Sequence, residues 1–370
     1  MNKSDIFWQT YLKIEKEMLE IAKYIYITDE RGESQLNVYS PHIADLLVRV
    51  CIEIEALSKE LYFDLGGTKP RGDKTLVFDT DCLKLIDINY KTSKKKVLIS
   101  CPSFNITKDK NIEFRPLKEA HKQQGTDWER AYQAVKHDRY SSLTEGTVIK
   151  LIHALGALFL LNIYYRNVKL YSKYLEVSKL DFSFGSAIFS VKKPEDKYVL
   201  DVINNKKVEG VLDSNESPFI LKYTNASFKS VLDANEKMTT DMQKYLSEQP
   251  ELNEVEFQAQ ISQASKEGRL MIFWELCKYR INKRIPSSLP FEKRKELFTN
   301  SPEWNGNIRK LNHPKSTDEI TEDNIQSEID HAGIQYGMEL QKRFEDIRLF
   351  KAFNEGQCEL VLDNGRIKYE

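Results

Sequence analysis

Five side chains suited to handling a phosphate group fall within one short stretch, Trp128–Arg139 (WERAYQAVKHDR). If residues 127–138 are helical, Arg130, Gln133 and His137 are spaced i, i+3, i+7 and share one face. A guanidinium fork grips phosphate oxygens in pairs, an imidazole moves a proton near neutral pH, and an amide both donates and accepts. Arg130 and His137 are therefore the candidate catalytic pair, with Gln133, Lys136 and Arg139 as candidate substrate-binding groups. A plainer reading has His137, Asp138 and Arg139 finish a helix C-terminus, where cations are favoured. Tyr132 and Val135 read as core contacts.

The surrounding segment is basic. Between Lys91 and Tyr140 there are twelve Lys or Arg against six Asp or Glu, a local excess that either attracts a phosphate backbone or forms a solvated surface. The whole chain has a net charge of −1, so a polyanion site must be a local patch. Elsewhere the chemistry is sparser. Arg49 and Glu53, i and i+4, read as a surface ion pair. His153 stands in an apolar helix and reads as a satisfied core histidine. His42, His121, His313 and His331 lack ligand spacing. Asp79, Asp81 and Asp87 suggest a metal-dependent nuclease only if a strand carries them. Gly66-Gly67-Thr68-Lys69 is too short for a phosphate loop, and no GxSxG, HExxH or dinucleotide glycine pattern occurs. No metal and no cofactor is expected.

Periodicity supplies the elements that must position these groups. Apolar residues from Ile6 to Ile25 form a helical stripe. Ser40-Pro41 is a helix start, and the helix runs to about Tyr62. Thr80–Tyr90 reads as a short helix, Lys96–Ile106 as a strand broken at Pro102, and Asn111–Phe114 as its hairpin partner. Thr126 or Asp127 caps the motif helix. Thr144 caps the next, which is apolar on all sides and extends to about Tyr174. The expectation for residues 1–175 is a helical bundle with a small β excursion.

Beyond residue 175 the pattern changes to an α+β region. Leu180–Lys192, Lys197–Ile203 and Phe219–Tyr223 read as strands, Val255–Arg284 and Thr321–Phe353 as long helices, and Asn300–Ser316 as a loop. Cys358–Tyr369 reads as a hairpin around Asp363-Asn364-Gly365. The expected fold is mainly α, with domains at 1–175 and 176–370.

The 370 residues, 41% hydrophobic and 30% charged, describe an ordinary globular chain. Five scattered cysteines without CxxC spacing argue against a disulfide framework and a structural zinc site. The charged first residues contain no apolar leader core. Leu151–Tyr165 is short for a bilayer and contains His153 and Asn162, so it reads as a core helix. A cytoplasmic location without membrane attachment is expected.

The stretch TDWERAYQAVKHDRY, followed by SSLTEG and then TVIKLIHALGALFLLNIYYRN, resembles the HEPN-type helical domains of bacterial abortive-infection and toxin–antitoxin proteins. SPHIADLLVRVCIEIEALSKEL is similar to an upstream core helix of such domains, and the resemblance covers about residues 1–175. It implies a metal-independent endoribonuclease of antiviral defence with an Arg-x4–6-His motif, onto which Arg130 and His137 map. It also implies a homodimer whose two motifs face one cleft, with RNA as substrate and residues 176–370 as a sensing or bracing part. One position departs from the pattern: the residue after Arg is usually polar, and here it is Ala131. Related domains include non-catalytic partners, so an interaction or antitoxin-type module is the alternative.

Overall fold

The structure is a computed structural model that describes residues 2–30, 35–194, 216–266, 271–305, 316–344 and 347–363. It is mainly α with a small β part. The chain forms two compact units, the first built from Met1–Asn225 with Gln357–Glu370 and the second from Ala226–Gly356. The described residues 176–194 and 216–225 and the last strand thus belong with the N-terminal bundle.

In the first unit α1 (Lys3–Ile21) and α2 (Pro41–Asp64) follow their apolar stripes. Ser40 caps α2, its hydroxyl accepting from the Ile43 amide at 3.2 Å, and Pro41 occupies the first turn, where a missing N–H costs nothing. Phe78–Leu83 is a π-helical segment that runs into α3 (Lys84–Tyr90). A three-stranded antiparallel sheet has the order β2-β1-β4, from β1 (Val97–Ile99), β2 (Glu113–Phe114) after the short α4 (Asp109–Ile112), and β4 (Phe189–Val191). Val97 stands opposite both Phe114 and Val191. The strands are shorter than their apolar runs because Pro102, and the left-handed Phe184 (φ 54°) before Gly185 (φ 93°), turn the chain away.

The motif helix is α5 (Asp127–His137), and α6 (Val148–Arg166) is the centre of the bundle. Leu151, Ile152, Leu155, Leu158, Phe159 and Leu161 are all essentially inaccessible. This helix is long and apolar enough to cross a membrane, yet most of it is covered by protein. It lies hard against the first sheet at Gly156, where a Cβ would come within 2.7 Å of the Phe114 ring. It starts at Thr147, not Thr144, and stops at Arg166 because Asn167 adopts the left-handed conformation (φ 46°). The expected last turns are instead β3 (Leu170–Lys173), an edge strand of a second antiparallel sheet ordered β3-β6-β5, with β5 at Phe219–Tyr223 and β6 at Gln357–Leu362. A Leu155→Asp substitution would leave a buried charge with no partner in this core, at a cost of several kcal/mol. Loss of the cooperative thermal transition of the first unit is the expected result, read by circular dichroism.

The second unit is helical. It contains α7 (Asn225–Ser247, starting at the boundary), α8 (Val255–Lys266), α9 (Ile272–Arg284), α10 (Phe291–Thr299), the turn-length α11 (Pro302–Asn305), α12 (Ile325–Phe344) and α13 (Ile347–Glu355). The expected helix 255–284 is interrupted at the extended Met271, the expected helix 321–353 begins only at Ile325, and α7 was not foreseen. α9 and α12 approach closely because Gly333 and Gly337 are one turn apart; a Cβ on either would fall 2.7 Å from backbone atoms of α9. The expected strand at Lys197–Ile203 and the turn at Asn364-Gly365 lie outside the described residues.

Candidate functional site

The α5 helix is built from local signals. Thr126 caps it, accepting from the Glu129 amide at 3.1 Å, while Glu129 accepts back from the Thr126 amide and hydroxyl. Trp128, Ala131, Tyr132 and Val135 lie in the core, and the Trp128 indole donates to the Pro116 carbonyl at 2.9 Å. The opposite face carries Arg130, Gln133, Lys136 and His137, all exposed. The predicted stripe is therefore on the solvent side. Ala131, the departure from the HEPN pattern, is fully buried, so a polar side chain there would be pressed into the core.

The candidate residues divide between the ends of the helix. Arg130 and His137 are separated by roughly 10 Å along the axis, given a rise of ~1.5 Å per residue. The Arg130 guanidinium points back over the N-terminus, donating to the carbonyls of Gln124 at 3.2 Å and Gly125 at 2.9 Å. Lys136 lies 5.1 Å from the centre of the Tyr132 ring. Arg139, beyond the helix end, pairs with Asp45 of α2 at 2.5 Å. Within the chain the set does not converge on a single atom.

The basic excess around the motif is largely compensated by carboxylates elsewhere in the first unit. Lys95 pairs with Asp363 in a fully buried bridge. Lys96 and Arg115 share Glu216 with Lys192, and this ring of cations holds the Glu216 carboxyl down to about 2. Arg49 takes Glu17 of α1, not Glu53, as its partner. Asp81 takes Lys69 at 2.6 Å, and Asp87 accepts from the Ser93 amide. Among the described residues no group of His, Cys, Asp and Glu is arranged to hold a metal ion.

One pair was missed because its members belong to different helices. His153 of α6 places Nδ1 2.7 Å from Oδ2 of Asp127, the first residue of α5, and its ring lies against Phe114 with centroids 4.8 Å apart. The histidine is satisfied, as expected, but its side chain keeps 22% of its surface. Burial is the largest single influence on the Asp127 carboxyl and raises it, but the bond and charge of His153, the Trp128 amide and Arg130 together hold the group below its ordinary range. A carboxylate on Nδ1 fixes the ring and leaves Nε2 as its remaining polar atom. Arg130, one turn on from Asp127, adds a smaller attraction that also favours the Asp127 carboxylate. An ionisable residue in the apolar run of α6 was the available signal.

Glu129 adds a pH dependence. Burial pushes its carboxyl up to about 7 against the hydrogen bonds from Thr126, which pull it down. The folded chain thus holds a proton that the unfolded chain releases near 4.5, and stability falls as pH rises from about 4.5 to about 7. Glu129→Gln is expected to remove this decline, worth about 3 kcal/mol at full extent. Melting temperatures at pH 5 and pH 8 check it; an undiminished difference in the variant contradicts the assignment.

Compared with known protein families, curated proteins and solved structures, the chain matches none.

Proposed function

We propose that the first unit is a HEPN-like RNA-handling module and, as a homodimer, a metal-independent endoribonuclease of a bacterial defence system. The observation that carries this reading is the outer face of α5, where Arg130, Gln133, Lys136 and His137 are all exposed while the other face is locked into the core. The separation of Arg130 from His137 along the helix suits a cleft shared by two protomers, with Arg130 of one and His137 of the other at the same phosphate. In that cleft the RNA 2′-oxygen attacks the adjacent phosphorus and the P–O5′ bond breaks. His137 takes the 2′-hydroxyl proton and a proton is returned to the 5′-oxygen, while Arg130 neutralises the oxyanion. The products are a 2′,3′-cyclic phosphate and a 5′-hydroxyl. Five free, buried cysteines suit the reducing cytoplasm as the place of action.

A second reading, a non-catalytic interaction module, is favoured by one observation: Arg130 is tied to the carbonyls of Gln124 and Gly125 and faces away from His137. Cleavage of total RNA by the purified chain in EDTA, with end-group analysis and light scattering, separates the two. Cyclic phosphate ends from a dimer support the enzyme. A monomer at micromolar concentration overturns the shared cleft, and intact RNA in every condition leaves the module.

A further inference from the structure

Cleavage of RNA as set out above leaves one proton without a source. The 5′-oxygen departs as an alkoxide unless an acid meets it. His153 stands where such an acid is needed. Its Nδ1 lies 2.7 Å from Asp127 Oδ2, and its ring lies against Phe114, so its orientation is fixed from two sides. Asp127, held below its ordinary range, is a carboxylate and can only accept, so Nδ1 carries the hydrogen and Nε2 is left for exchange. Nε2 has no hydrogen-bond partner among the described residues, yet it reaches water. Asn162 Oδ1 and Tyr164 Oη, further along α6, also lack partners but are sealed off. The difference marks Nε2 as an atom that can meet a group from outside.

Arg130 belongs to the same end of α5. Its guanidinium folds back over the helix start and uses Nη1 for the carbonyls of Gln124 and Gly125. Its Nε and Nη2 make no hydrogen bond among the described residues. The Asp127 carboxylate that holds His153 also feels the Arg130 charge. A guanidinium edge and an open imidazole nitrogen thus flank one carboxylate. They supply what a breaking phosphodiester needs, a cation for the oxyanion and a proton for the departing oxygen.

We propose that His153 is the general acid of the reaction, its Nε2 proton passing to the 5′-oxygen as the P–O5′ bond breaks. The assignment rests on the endoribonuclease reading and fills the step which that reading leaves open. The electron pair of the broken bond stays on the 5′-oxygen and takes the proton, and the neutral ring regains one from water. Asp127 is a positioning residue, acting through the ring. In the shared cleft Arg130 and His153 stand on one side of the phosphate, and His137 of the partner subunit, the base, stands on the other.

The test compares RNA with the 4-nitrophenyl ester of uridine 3′-phosphate, whose leaving group departs without a proton. Wild type is expected to cleave both. His153→Asn, whose amide can keep the bond to Asp127, is expected to lose on the order of 10²–10⁴-fold on RNA but at most about tenfold on the ester. Asp127→Asn should show the same selective loss at smaller size, and it decides if His153→Asn fails to fold. His137→Ala removes the base and should lose both substrates alike. Equal losses on the two substrates, or undiminished RNA cleavage, in the folded His153 and Asp127 variants overturn the assignment while the endoribonuclease reading stands. A wild type inert towards both substrates overturns that reading, and this assignment with it.

Discussion

Replacement of Lys95 by methionine is expected to destabilise the first unit by about 3–5 kcal/mol, because it removes the buried ammonium that faces the Asp363 carboxylate in the core. Lys95 Nζ lies 2.5 Å from Asp363 Oδ2, and neither side chain is accessible to water. The bridge joins the approach to β1 with the residue that follows β6, so it ties the first sheet to the end of the second. Desolvating two ions offsets much of their attraction, and removing one ion leaves the other's desolvation uncompensated. The loss in Lys95→Met and in Asp363→Leu should therefore be large, and the double replacement should recover much of it. Urea denaturation of the three variants measures this. A double variant as unstable as the sum of the single ones would contradict the account.

Under the proposed activity, His137→Ala is expected to lower RNA cleavage by on the order of 10²–10⁴-fold, the usual loss on removing a general acid–base group. Arg130→Lys should also be costly, because an ammonium cannot reproduce the two-pronged contact of a guanidinium. The roughly 10 Å between these positions makes a sharper test available. Mixed dimers of an Arg130→Ala protomer and a His137→Ala protomer retain one complete site if the cleft is shared, and none if each protomer works alone. Recovery of cleavage on mixing two inactive variants supports the shared cleft. Cleavage that persists undiminished in His137→Ala rules out the histidine.

Elements marked by local chemistry were legible in the sequence. Ser40-Pro41 and Thr126 with Glu129 announce α2 and α5, and the apolar run of α6 announces the core, because capping and burial act over a few residues. The end of α6 was not legible. The apolar run to Tyr165 does not itself stop; the left-handed Asn167 ends the helix, and the strand β3 that follows is fixed by its partner β6, far away in sequence. The charged α7 escaped notice because, of its side chains, Val231 alone is buried and the apolar stripe is thin. The same distinction holds for the site. Which residues share the outer face of α5 follows from helical spacing, whereas the direction of the Arg130 guanidinium and the pairing of Asp127 with His153, 26 residues apart, depend on how chain segments meet.

The strand order β3-β6-β5 has a consequence for the timing of assembly. The Thr224 amide, just after β5, donates to the Gln357 carbonyl at 2.9 Å, so the chain leaves the sheet and re-enters it at one point. Residues 226–356 are threaded out between two adjacent strands. On the ribosome, β3 and β5 emerge with the place between them empty, and the strand that fills it follows only after the whole second unit. At about 5–20 residues per second that interval is on the order of ten seconds. During it the two strands have their inner edges open to any extended chain nearby, and the Lys95 ammonium waits for the aspartate that will neutralise it. The first unit, although it begins first, closes last.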